Sequence, residues 1–363
     1  MTRYLLAGGG TAGHVNPLLA VANRLRSAEP DSQFTVLGTA DGLESRLVPD
    51  HGFELVTIEK VPMPRRPGTS MVQFPGRFRR AVREVRRVIA ERDIDVVVGF
   101  GGFVSAPAYI AAWREKRPIV VHEANTVPGF ANRLGSWLTR HVGVAFEGTR
   151  LRNARFVGMP LSSALEDLDP AVTRPAALRH FGFEEKSRVL LVTGGSLGAR
   201  SINDTVSAAV AGILGAGWSV LHITGTRSEL GESSLPGYRL VRYCDRMDLA
   251  FSAAQLVISR AGSATVSEIT ALGIPAVYVP LPIGNGEQKR NAAGVVAAGG
   301  ALMVANADFT ESWIERTLVP LLLDPAAISE LAANAAAVGV RDGTARTVAL
   351  VMEAVAEAKE DRP

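Results

Sequence analysis

The sequence predicts an α/β protein made of two Rossmann-like, doubly wound domains with a cleft between them. Three observations predict this fold class. Short apolar runs alternate with helical patterns along most of the chain. The 363 residues are too many for one ordinary hydrophobic core and suit two α/β domains. In both halves, a strand is followed by a glycine-rich loop and then by a helix.

In the first half, apolar runs predict the strands of a mostly parallel sheet, and helical patterns fill the gaps between them. The predicted strands are 3–7, 33–38, 53–57, 95–98, 118–121 and 142–146, and the predicted helices are 16–27, 70–91, 104–115 and 127–139. We therefore predict an N-terminal domain of residues 1–160. The acidic segment 162–175, which is short of strand patterns, is predicted to be a linker.

The second half repeats the pattern and predicts a C-terminal domain of residues 161–340. The predicted strands are 188–192, 218–223, 238–241, 255–258, 275–279 and 301–304, and the predicted helices are 199–212, 246–252, 263–272 and 287–298. The tail 310–358 is rich in alanine and helical, and we expect its last part, 341–363, to pack back on the N-terminal domain. Open α/β sheets bind ligands beyond the carboxyl ends of their strands, so substrates are expected there.

Composition and charge exclude several classes of protein and site. The 39 basic and 36 acidic residues leave a net charge of +3, so the molecule is not a polycation and no nucleic-acid partner is predicted. The one cysteine, Cys244, excludes an intramolecular disulfide and a cysteine metal cluster and suits a reducing compartment. We expect neither a signal peptide nor a membrane span, because no apolar run is long enough for either.

Three glycine-rich loops follow apolar strands and precede helices: Gly8–His14, Gly99–Phe103 and Gly194–Gly198. Backbone amides at such helix starts bind a diphosphate, since no Cβ blocks the approach and the helix dipole favours anions. The alternative is that each loop is only a tight turn. Three such loops at strand ends favour a ligand-binding role.

The first loop also matches the dinucleotide-binding pattern G-x-G-x-x-G at Gly8, Gly10 and Gly13. A dehydrogenase would need an acidic residue at the end of the second strand to bind the ribose. That strand ends at Thr39, and Asp41 comes slightly late, which disfavours a nicotinamide cofactor. No cofactor is predicted.

A fourth segment, Ser259–Glu268, also follows a strand and opens a helix. Ser263 is the predicted N-cap, and the amides of the first turn would then point at a phosphate. Glu268 lies about one turn further in, where a carboxylate accepts two hydrogen bonds from a ribose diol. The alternative role for Glu268 is that of an acidic residue that stabilises the helix start.

These segments, together with Asn16-Pro17, His122–Asn125, Gln288 and Asn291-Ala292, carry a resemblance that covers nearly the whole chain. In their order and spacing the chain resembles the MurG family of GT-B glycosyltransferases. The resemblance implies inverting transfer of GlcNAc from UDP-GlcNAc to the C4 hydroxyl of MurNAc in undecaprenyl-pyrophosphoryl-MurNAc-pentapeptide (lipid I). The product would be lipid II, for peptidoglycan synthesis. The family binds the acceptor in the N-terminal domain and the UDP-sugar in the C-terminal domain.

The resemblance also implies roles for individual residues. Asn125 would contact the GlcNAc, Gln288 would bind its hydroxyls, and Glu268 would bind the ribose hydroxyls. The backbone near Cys244 would contact the uracil edge, and Ser196 would lie at the donor phosphates. The other residues implied on the donor side are Thr11, Ala12, Gly13, Ala264 and Thr265, with Arg260 as support, and those on the acceptor side are Gly101, Gly102, Tyr109, His122 and Glu123. An alternative for His122 is that it organises Asn125.

One position departs from the family pattern. The family usually has an arginine shortly after a Gly-x-Pro sequence at the end of the first domain. Here Gly158-Met159-Pro160 is followed by Leu161 and Ser162, so Ser162 occupies the expected position. Either another arginine supplies that charge or the donor contact differs.

His14 is the predicted general base. An imidazole titrates near pH 6.5, so its neutral form is available to accept a proton near pH 7. His14 ends the first glycine loop, whereas His51, His180 and His222 fall outside recognisable loops. A single displacement inverts the anomeric centre, so an α-linked donor is expected to give a β(1→4) product without a covalent intermediate.

No metal is expected in the bond-making step. Many glycosyltransferases of the other major fold hold Mn²⁺ or Mg²⁺ with Asp-x-Asp, and this chain has Asp93-Ile94-Asp95. These residues enter a strand at its amino end, opposite the ligand edge, which favours a structural role. Loop amides and helix starts are then expected to stabilise the diphosphate.

A basic and apolar segment predicts a membrane-docking surface. Only two acidic residues, Glu84 and Glu91, oppose ten basic residues: Lys60, Arg65, Arg66, Arg77, Arg79, Arg80, Arg83, Arg86, Arg87 and Arg92. Apolar side chains ringed by arginine suit an anionic lipid surface, here the cytoplasmic face of the cell membrane. The predicted patch is Met71, Phe74, Arg77, Phe78, Arg80 and Trp113, with Trp113 placed nearby by the resemblance. The alternative is ordinary core with a solvated face, which we accept for Val85 and Ile89.

Two other functions stay open at this point. A hydrolysing UDP-GlcNAc 2-epimerase would share the donor loops but would have no need of a membrane-facing acceptor domain. A non-catalytic nucleotide-sugar-binding protein of the cell-wall machinery would have no need of His14, Glu268 and Gln288.

Overall fold

The computed structural model describes residues 1–62, 69–231, 233–283 and 285–360. The chain forms two compact units, the first of Met1–Ser162 with Asp342–Pro363 and the second of Ser163–Arg341. Each unit contains a parallel sheet with helices packed against it, so the predicted α/β class with two doubly wound domains is confirmed.

The strands of both sheets run parallel wherever they pair. They are β1 (Arg3–Gly8), β2 (Gln33–Gly38), β3 (Glu54–Thr57), β4 (Val96–Gly101), β5 (Ile119–Glu123), β6 (His141–Val144), β7 (Ala154–Phe156), β8 (Arg188–Thr193), β9 (Trp218–Ile223), β10 (Tyr238–Val241), β11 (Leu256–Ser259), β12 (Ala276–Tyr278) and β13 (Ala301–Met303). The first sheet has the order β3-β2-β1-β4-β5-β6-β7 and the second has β10-β9-β8-β11-β12-β13. The strand order therefore reverses between β1 and β4 and between β8 and β11, which makes a topological switch point in each sheet.

Helices connect most successive strands, although none is described between β6 and β7 or between β9 and β10. They are α1 (Ala12–Ala28), α2 (Glu44–Asp50), α3 (Thr69–Glu91), α4 (Ser105–Arg114), α5 (Phe130–Gly135), α6 (Ser163–Glu166), α7 (Pro170–His180), α8 (Arg200–Gly215), α9 (Met247–Ala253), α10 (Ser263–Ala271), α11 (Glu287–Asn291), α12 (Ala293–Ala297), α13 (Glu311–Trp313), α14 (Val319–Leu322), α15 (Pro325–Val338) and α16 (Gly343–Glu360). A π-helical turn, Ile314–Leu318, joins α13 to α14.

Side chains of the first sheet alternate between two helical layers, since successive residues of a strand face opposite sides. Tyr4 and Leu6 belong to the core shared with α1 and α16, whereas Leu5 and Ala7 belong to the core shared with α3 and α4. Because helices cover both faces, these strands are apolar throughout, which is why the sequence shows them as short apolar runs. Helix α16 thereby completes the core of the first unit.

Several predicted elements differ from the structure. The predicted linker 162–175 is wrong, because α6 and most of α7 occupy it and both belong to the second unit. Asp169 caps α7 by accepting from the amide of Ala171 at 2.9 Å, and Pro170 suits the first helical turn. The helix predicted at 16–27 begins at Ala12, the one predicted at 287–298 is divided into α11 and α12, and α2 and β7 were not predicted.

Candidate active site

The glycine-rich loops lie at the carboxyl ends of the strands that flank the two switch points. Gly8–His14 (loop 1) follows β1, and Gly99–Phe103 (loop 2) extends from β4. In the second unit, Gly194–Gly198 (loop 3) follows β8, and Ser259–Glu268 follows β11. Open α/β sheets bind ligands at such points, because the loops on either side diverge and leave a crevice. Each unit therefore has one candidate binding edge.

His14 lies in the first turn of α1 with one ring nitrogen already bound. Its Nδ1 is 3.1 Å from the carbonyl oxygen of Gly9 and 3.2 Å from the hydroxyl of Thr11. A carbonyl oxygen only accepts hydrogen bonds, so Nδ1 donates and the neutral ring keeps its lone pair on Nε2. The Nε2 edge of the ring lies beside Gly101, where an added Cβ would be 3.1 Å from it. Loop 1 thus favours the tautomer that a general base requires.

Loops 1 and 2 fit together through glycine backbone. Gly102 has a φ of +84°, and a Cβ there would lie 2.5 Å from the carbonyl oxygen of Gly9. A side chain at this position would displace the carbonyl that binds His14. The sequence placed Gly101 and Gly102 on the acceptor side, and the structure adds that both allow loop 2 to approach loop 1.

Three residues that the sequence assigned to the acceptor side are buried behind these loops. Tyr109 and His122 are fully buried, and Glu123 is nearly so. Tyr109 donates to Oδ1 of Asn132 at 2.8 Å, and Nδ2 of Asn132 donates to Oε2 of Glu123 at 3.0 Å. The expectation that these side chains face the acceptor is therefore corrected, because burial leaves them no surface for it.

Glu123 instead organises the loop that carries Asn125. Oε1 of Glu123 accepts from the amide of Asn125 at 2.8 Å, and Oε2 accepts from the amide of Gly129 at 3.0 Å. Burial lowers the pKa of His122 to about 4, and its Nε2 lies 3.0 Å from the carbonyl oxygen of Gly158. The described contact of the His122 ring is thus with Gly158, and the alternative that it organises Asn125 stays a prediction. Asn125 itself is half-buried and remains accessible to a ligand.

The predicted donor residues of loop 1 are accessible: Thr11 is exposed, and Ala12 and Gly13 are half-buried. In the second unit, loop 3 is held by a glycine pair. Gly198 and Gly225 both have positive φ. A Cβ on Gly225 would overlap the backbone of Gly198, and a Cβ on Gly198 would lie 2.1 Å from the carbonyl oxygen of Thr224. The side chain of Ser196 is exposed at the tip of this loop, just before α8.

Helix α10 begins without a side-chain cap. Its N-cap residue is Gly262, so the prediction of Ser263 as the N-cap is wrong, and Ser263 is the first helical residue. Gly262 has no side chain to accept from the first-turn amides, which include those of Ala264 and Thr265. Helices α7 and α15, by contrast, are capped by aspartates. An uncapped start at a switch point leaves backbone donors for an anion.

Glu268 carries a half-buried carboxylate on α10. Burial raises its pKa to about 7. Within the four described stretches of the chain, no hydrogen bond or ion pair reaches this carboxylate. An ionised carboxylate is costly to bury without donors, and a diol that donates two hydrogen bonds would remove that cost. The position therefore suits a ribose.

Arg260 supports the same loop through neutral partners. Its Nη1 donates to the carbonyl of Val279 at 2.9 Å and to Oδ1 of Asn306 at 2.7 Å, and its Nη2 donates to the hydroxyl of Ser201 at 2.9 Å. Among the described residues no carboxylate pairs with this guanidinium. Its positive charge therefore remains available to a nearby anion.

Gln288 and Cys244 complete the predicted donor residues. Oε1 of Gln288 accepts from the amide of Leu281 at 2.9 Å, which leaves the side-chain NH₂ to donate to a ligand. Cys244 is half-buried, and burial raises the pKa of its thiol, so the thiol stays neutral. Ser162, the position that departs from the family pattern, is exposed.

The Asp-x-Asp pair lies at the amino end of β4, away from the loops. Asp93 forms ion pairs with Arg3 and Arg117, and Asp95 accepts from the amide of Arg3 at 3.0 Å. Both side chains thus take part in contacts that hold the amino edge of the first sheet.

Glu44, which no sequence pattern had singled out, is fully buried behind loop 1. Its Oε2 accepts from the amide of Gly10 at 2.9 Å, and its Oε1 accepts from the amide and the hydroxyl of Thr39 at 2.9 and 2.8 Å. Glycine spacing was the available signal, because a Cβ at Gly9, Gly38 or Gly42 would overlap this side chain. Glu44 lies three positions after Asp41, the acidic residue that the dinucleotide-binding pattern singled out near the end of β2.

Both units contain stretches that match models of one glycosyltransferase family. Residues 4–144 match the glycosyltransferase family 28 N-terminal domain, and residues 189–347 match the glycosyltransferase family 28 C-terminal domain. The UDP-N-acetylglucosamine--N-acetylmuramyl-(pentapeptide) pyrophosphoryl-undecaprenol N-acetylglucosamine transferase of Leifsonia xyli subsp. xyli is 59% identical over 351 residues, which cover 97% of this chain and 98% of that protein.

Two solved structures share the fold. The crystal structure of Acinetobacter baumannii MurG has a TM-score of 0.78 at 26% identity, covering 97% of this chain and 100% of that chain. UDP-GlcNAc 2-epimerase from Neisseria meningitidis, solved with UDP-GlcNAc bound, has a TM-score of 0.68 at 15% identity, covering 97% of this chain and 100% of that chain. The second likeness concerns the fold alone.

Proposed function

Because this chain belongs to glycosyltransferase family 28, we propose that it transfers N-acetylglucosamine from UDP-GlcNAc to undecaprenyl-pyrophosphoryl-MurNAc-pentapeptide, giving lipid II for peptidoglycan synthesis. The observation that carries the proposal is the carboxylate of Glu268, which has no partner among the described residues and lies behind the uncapped start of α10. Backbone donors for a diphosphate and an acceptor for a ribose diol then lie on one helix. This combination suits a nucleoside diphosphate sugar.

His14 acts as the general base in the proposed mechanism. Its Nε2 takes the proton of the MurNAc C4 hydroxyl while that oxygen bonds to the anomeric carbon of GlcNAc. The bond from this carbon to the β-phosphate oxygen breaks in the same step, and the electron pair leaves with UDP. One displacement converts the α-linked donor into a β(1→4) product.

The leaving diphosphate needs stabilisation where its charge develops. In the proposal, the first-turn amides of α10 and the tip of loop 3 at Ser196 donate to it, and Arg260 contributes positive potential. These groups are held in place before the reaction, so they stabilise the charge without reorganising. Asn125 contacts the sugar, and the backbone near Cys244 contacts the uracil.

One assay tests the proposed function. UDP-GlcNAc and lipid I are mixed with the enzyme, and UDP and lipid II are the expected products. Epimerised UDP-sugar without lipid II would indicate a 2-epimerase, and binding of UDP-GlcNAc without turnover would indicate a non-catalytic protein.

The same assay in EDTA is expected to retain activity, because backbone amides and Arg260 supply the positive potential. Recovery of a large lost fraction by Mg²⁺ or Mn²⁺ would contradict that account.

Replacing Gln288 by alanine is expected to lower the affinity for UDP-GlcNAc more than the affinity for UDP, because the proposed contact is with the sugar. The loss for UDP-GlcNAc should be about tenfold, the usual size for one neutral hydrogen bond. Calorimetric titration with both ligands measures the difference. Equal losses for UDP and UDP-GlcNAc would contradict this assignment.

We further propose that the enzyme is peripheral and meets its lipid-linked acceptor at the cytoplasmic face of the membrane through α3 and the end of α4. Met71, Val72 and Trp113 are 49%, 81% and 57% exposed. Phe74 and Phe78, which the sequence assigned to the patch, stack with their ring centroids 5.6 Å apart and pack against the core. Val85 and Ile89 are buried within that core. The apolar contribution to docking therefore moves to Met71, Val72 and Trp113.

Some arginines of this surface are already paired. Arg77 and Arg80 form ion pairs with Glu59, and Arg86 pairs with Glu115. Arg79 and Arg83 form no ion pair within the described residues, and Arg65 and Arg66 lie outside them. Among all the described residues, no single helix is long and apolar enough to cross a membrane. Only the bent pair Glu311–Leu322 and Pro325–Glu360 passes that test when the two are taken together.

A Met71→Ser, Val72→Ser double variant is expected to co-sediment less with anionic liposomes while still binding UDP-GlcNAc. Wild-type binding should need anionic lipid and fall as salt rises, because each basic residue near such a surface contributes about 1 kcal/mol. Val172→Ser is the matched control, since Val172 is 77% exposed on α7 of the second unit. If the double variant sediments like wild type and the control, docking occurs elsewhere.

A further inference from the structure

One peptide group connects the buried Glu44 to His14. The carbonyl of the Gly9–Gly10 peptide accepts from Nδ1 of His14 at 3.1 Å, and the N–H of the same peptide donates to Oε2 of Glu44 at 2.9 Å. The electrons of a peptide group are delocalised over its oxygen and nitrogen. Carboxylate, peptide and imidazole therefore form one continuous hydrogen-bonded chain.

Hydrogen bonds from neutral groups keep Glu44 ionised. Burial raises the pKa of Glu44, but the hydrogen bonds from Gly10 and Thr39 outweigh it and hold the pKa below its ordinary value. No cation pairs with this carboxylate in the part of the chain that the structure describes. A buried anion without a counter-ion is costly, and Gly9, Gly38 and Gly42 all leave the space that it occupies.

We propose that Glu44 is a positioning residue that raises the basicity of His14 through the Gly9–Gly10 peptide. The carboxylate polarises the amide, so the Gly9 oxygen becomes a stronger acceptor for the Nδ1 proton. That oxygen fixes the tautomer and stabilises the imidazolium that forms when Nε2 takes a proton. An aspartate does this directly in a Ser-His-Asp triad, whereas here a peptide group lies between the two side chains. The inference rests on the proposed role of His14 as the base.

Other charged groups near the hydrogen bonds that link Glu44 to His14 have different partners. The ammonium of Lys60 lies over the ring of Phe103, 4.9 Å from its centroid. The carboxylate of Glu123 is bound by Asn125, Gly129 and Asn132. Neither forms a hydrogen bond or ion pair with His14 or Glu44 in the described segments. Glu44 is thus the charge most directly linked to the imidazole.

Glu44→Gln tests the proposal, because glutamine keeps the size of the side chain and removes the charge. The variant is expected to lower kcat about tenfold. Loss of a nearby buried charge should also move the acid limb of the kcat profile to lower pH, by about 0.5–1. The titration midpoint of the His14 ring, followed by NMR, should move in the same direction, while affinity for UDP-GlcNAc stays unchanged. Asp50→Asn removes the same charge from the exposed end of α2 and should leave all three readouts at their wild-type values.

A lower kcat with an unmoved midpoint and pH profile would overturn the proposal, since it would show a purely structural role. If Glu44→Gln does not fold, the wild-type chain still provides a test. The amide resonance of Gly10 should titrate together with the His14 ring, and in His14→Gln it should lose this response. A Gly10 amide chemical shift that does not change as His14 titrates would overturn the proposal. These NMR outcomes do not depend on turnover, so they differ from a failure of His14 as the base, which full activity of His14→Ala would reveal.

Discussion

Replacing His14 by alanine is expected to lower kcat by about 10²–10⁴-fold, the usual contribution of a positioned base, and to change the affinity for UDP-GlcNAc little. His14 is the one histidine found in a glycine loop, and its bound Nδ1 leaves Nε2 free to take the acceptor proton. The proposed donor ligands Glu268 and Gln288 belong to the second unit, so their contacts should survive the change. Turnover with lipid I and calorimetric titration with UDP-GlcNAc measure the two effects separately.

His51→Ala is the matched control for this variant. His51 belongs to the same unit, is exposed, and also has Nδ1 bound to a carbonyl oxygen, that of Leu47 at 2.9 Å. It differs from His14 in lying away from the glycine loops. Wild-type turnover in His14→Ala, or an equal loss in both variants, would remove His14 from the mechanism.

Glu268→Gln is expected to lower the affinities for UDP-GlcNAc, UDP and uridine by a similar factor, about a hundredfold. The physical reason is that a carboxylate binding both ribose hydroxyls makes two charge-assisted hydrogen bonds, each contributing about 1.5–3 kcal/mol. Because ribose is common to the three ligands, the loss should not depend on the sugar or the phosphates. Glu330→Gln, an exposed glutamate on α15, is the matched control. Loss confined to UDP-GlcNAc would place Glu268 at the sugar instead.

The raised pKa of Glu268 also predicts a pH dependence. Its pKa is about 7 in the folded protein, against an ordinary value of 4.5. Ribose hydroxyls favour the ionised carboxylate, so affinity for UDP-GlcNAc should rise between pH 6 and pH 8, and the glutamine variant should lose this rise. UDP-GlcNAc suits the measurement because its phosphates are esterified and do not titrate in this range.

The same pKa predicts that Glu268 destabilises the ligand-free protein at neutral pH. Below pH 4.5 the carboxyl is neutral in both folded and unfolded chains and has no effect. As pH rises from 4.5 to 7, the unfolded chain ionises first, and the cost of burying the charge then remains in full above pH 7. Glu268→Gln should therefore raise the melting temperature at pH 8 and leave it unchanged near pH 4. A lower melting temperature at pH 8 would contradict the burial argument.

Much of the fold could be predicted because its signals are local. Strands covered on both faces are apolar throughout, and glycines mark the points where backbone approaches backbone closely. The errors occurred where local signals were weak. Helix α7 has few buried residues and no apolar stripe, so its sequence looks like a linker, and α2 is too short to show a period. The prediction for Phe74 and Phe78 failed for another reason, because their apolar spacing suits both a core and a lipid surface.

The sequence by itself determined which segments are glycine loops at strand ends, and it predicts His14 and Glu268 for the base and ribose contacts. Only the tertiary structure decided what lies beside those segments. Strand order brings loops 1 and 2 together although about 90 residues separate them, because pairing of β1 with β4 is a long-range contact. Packing decided that Tyr109, His122 and Glu123 support the loops from behind. Glu44 reaches the Gly10 amide across 34 positions of sequence, a contact that depends on α2 folding back under loop 1 and that no local pattern encodes.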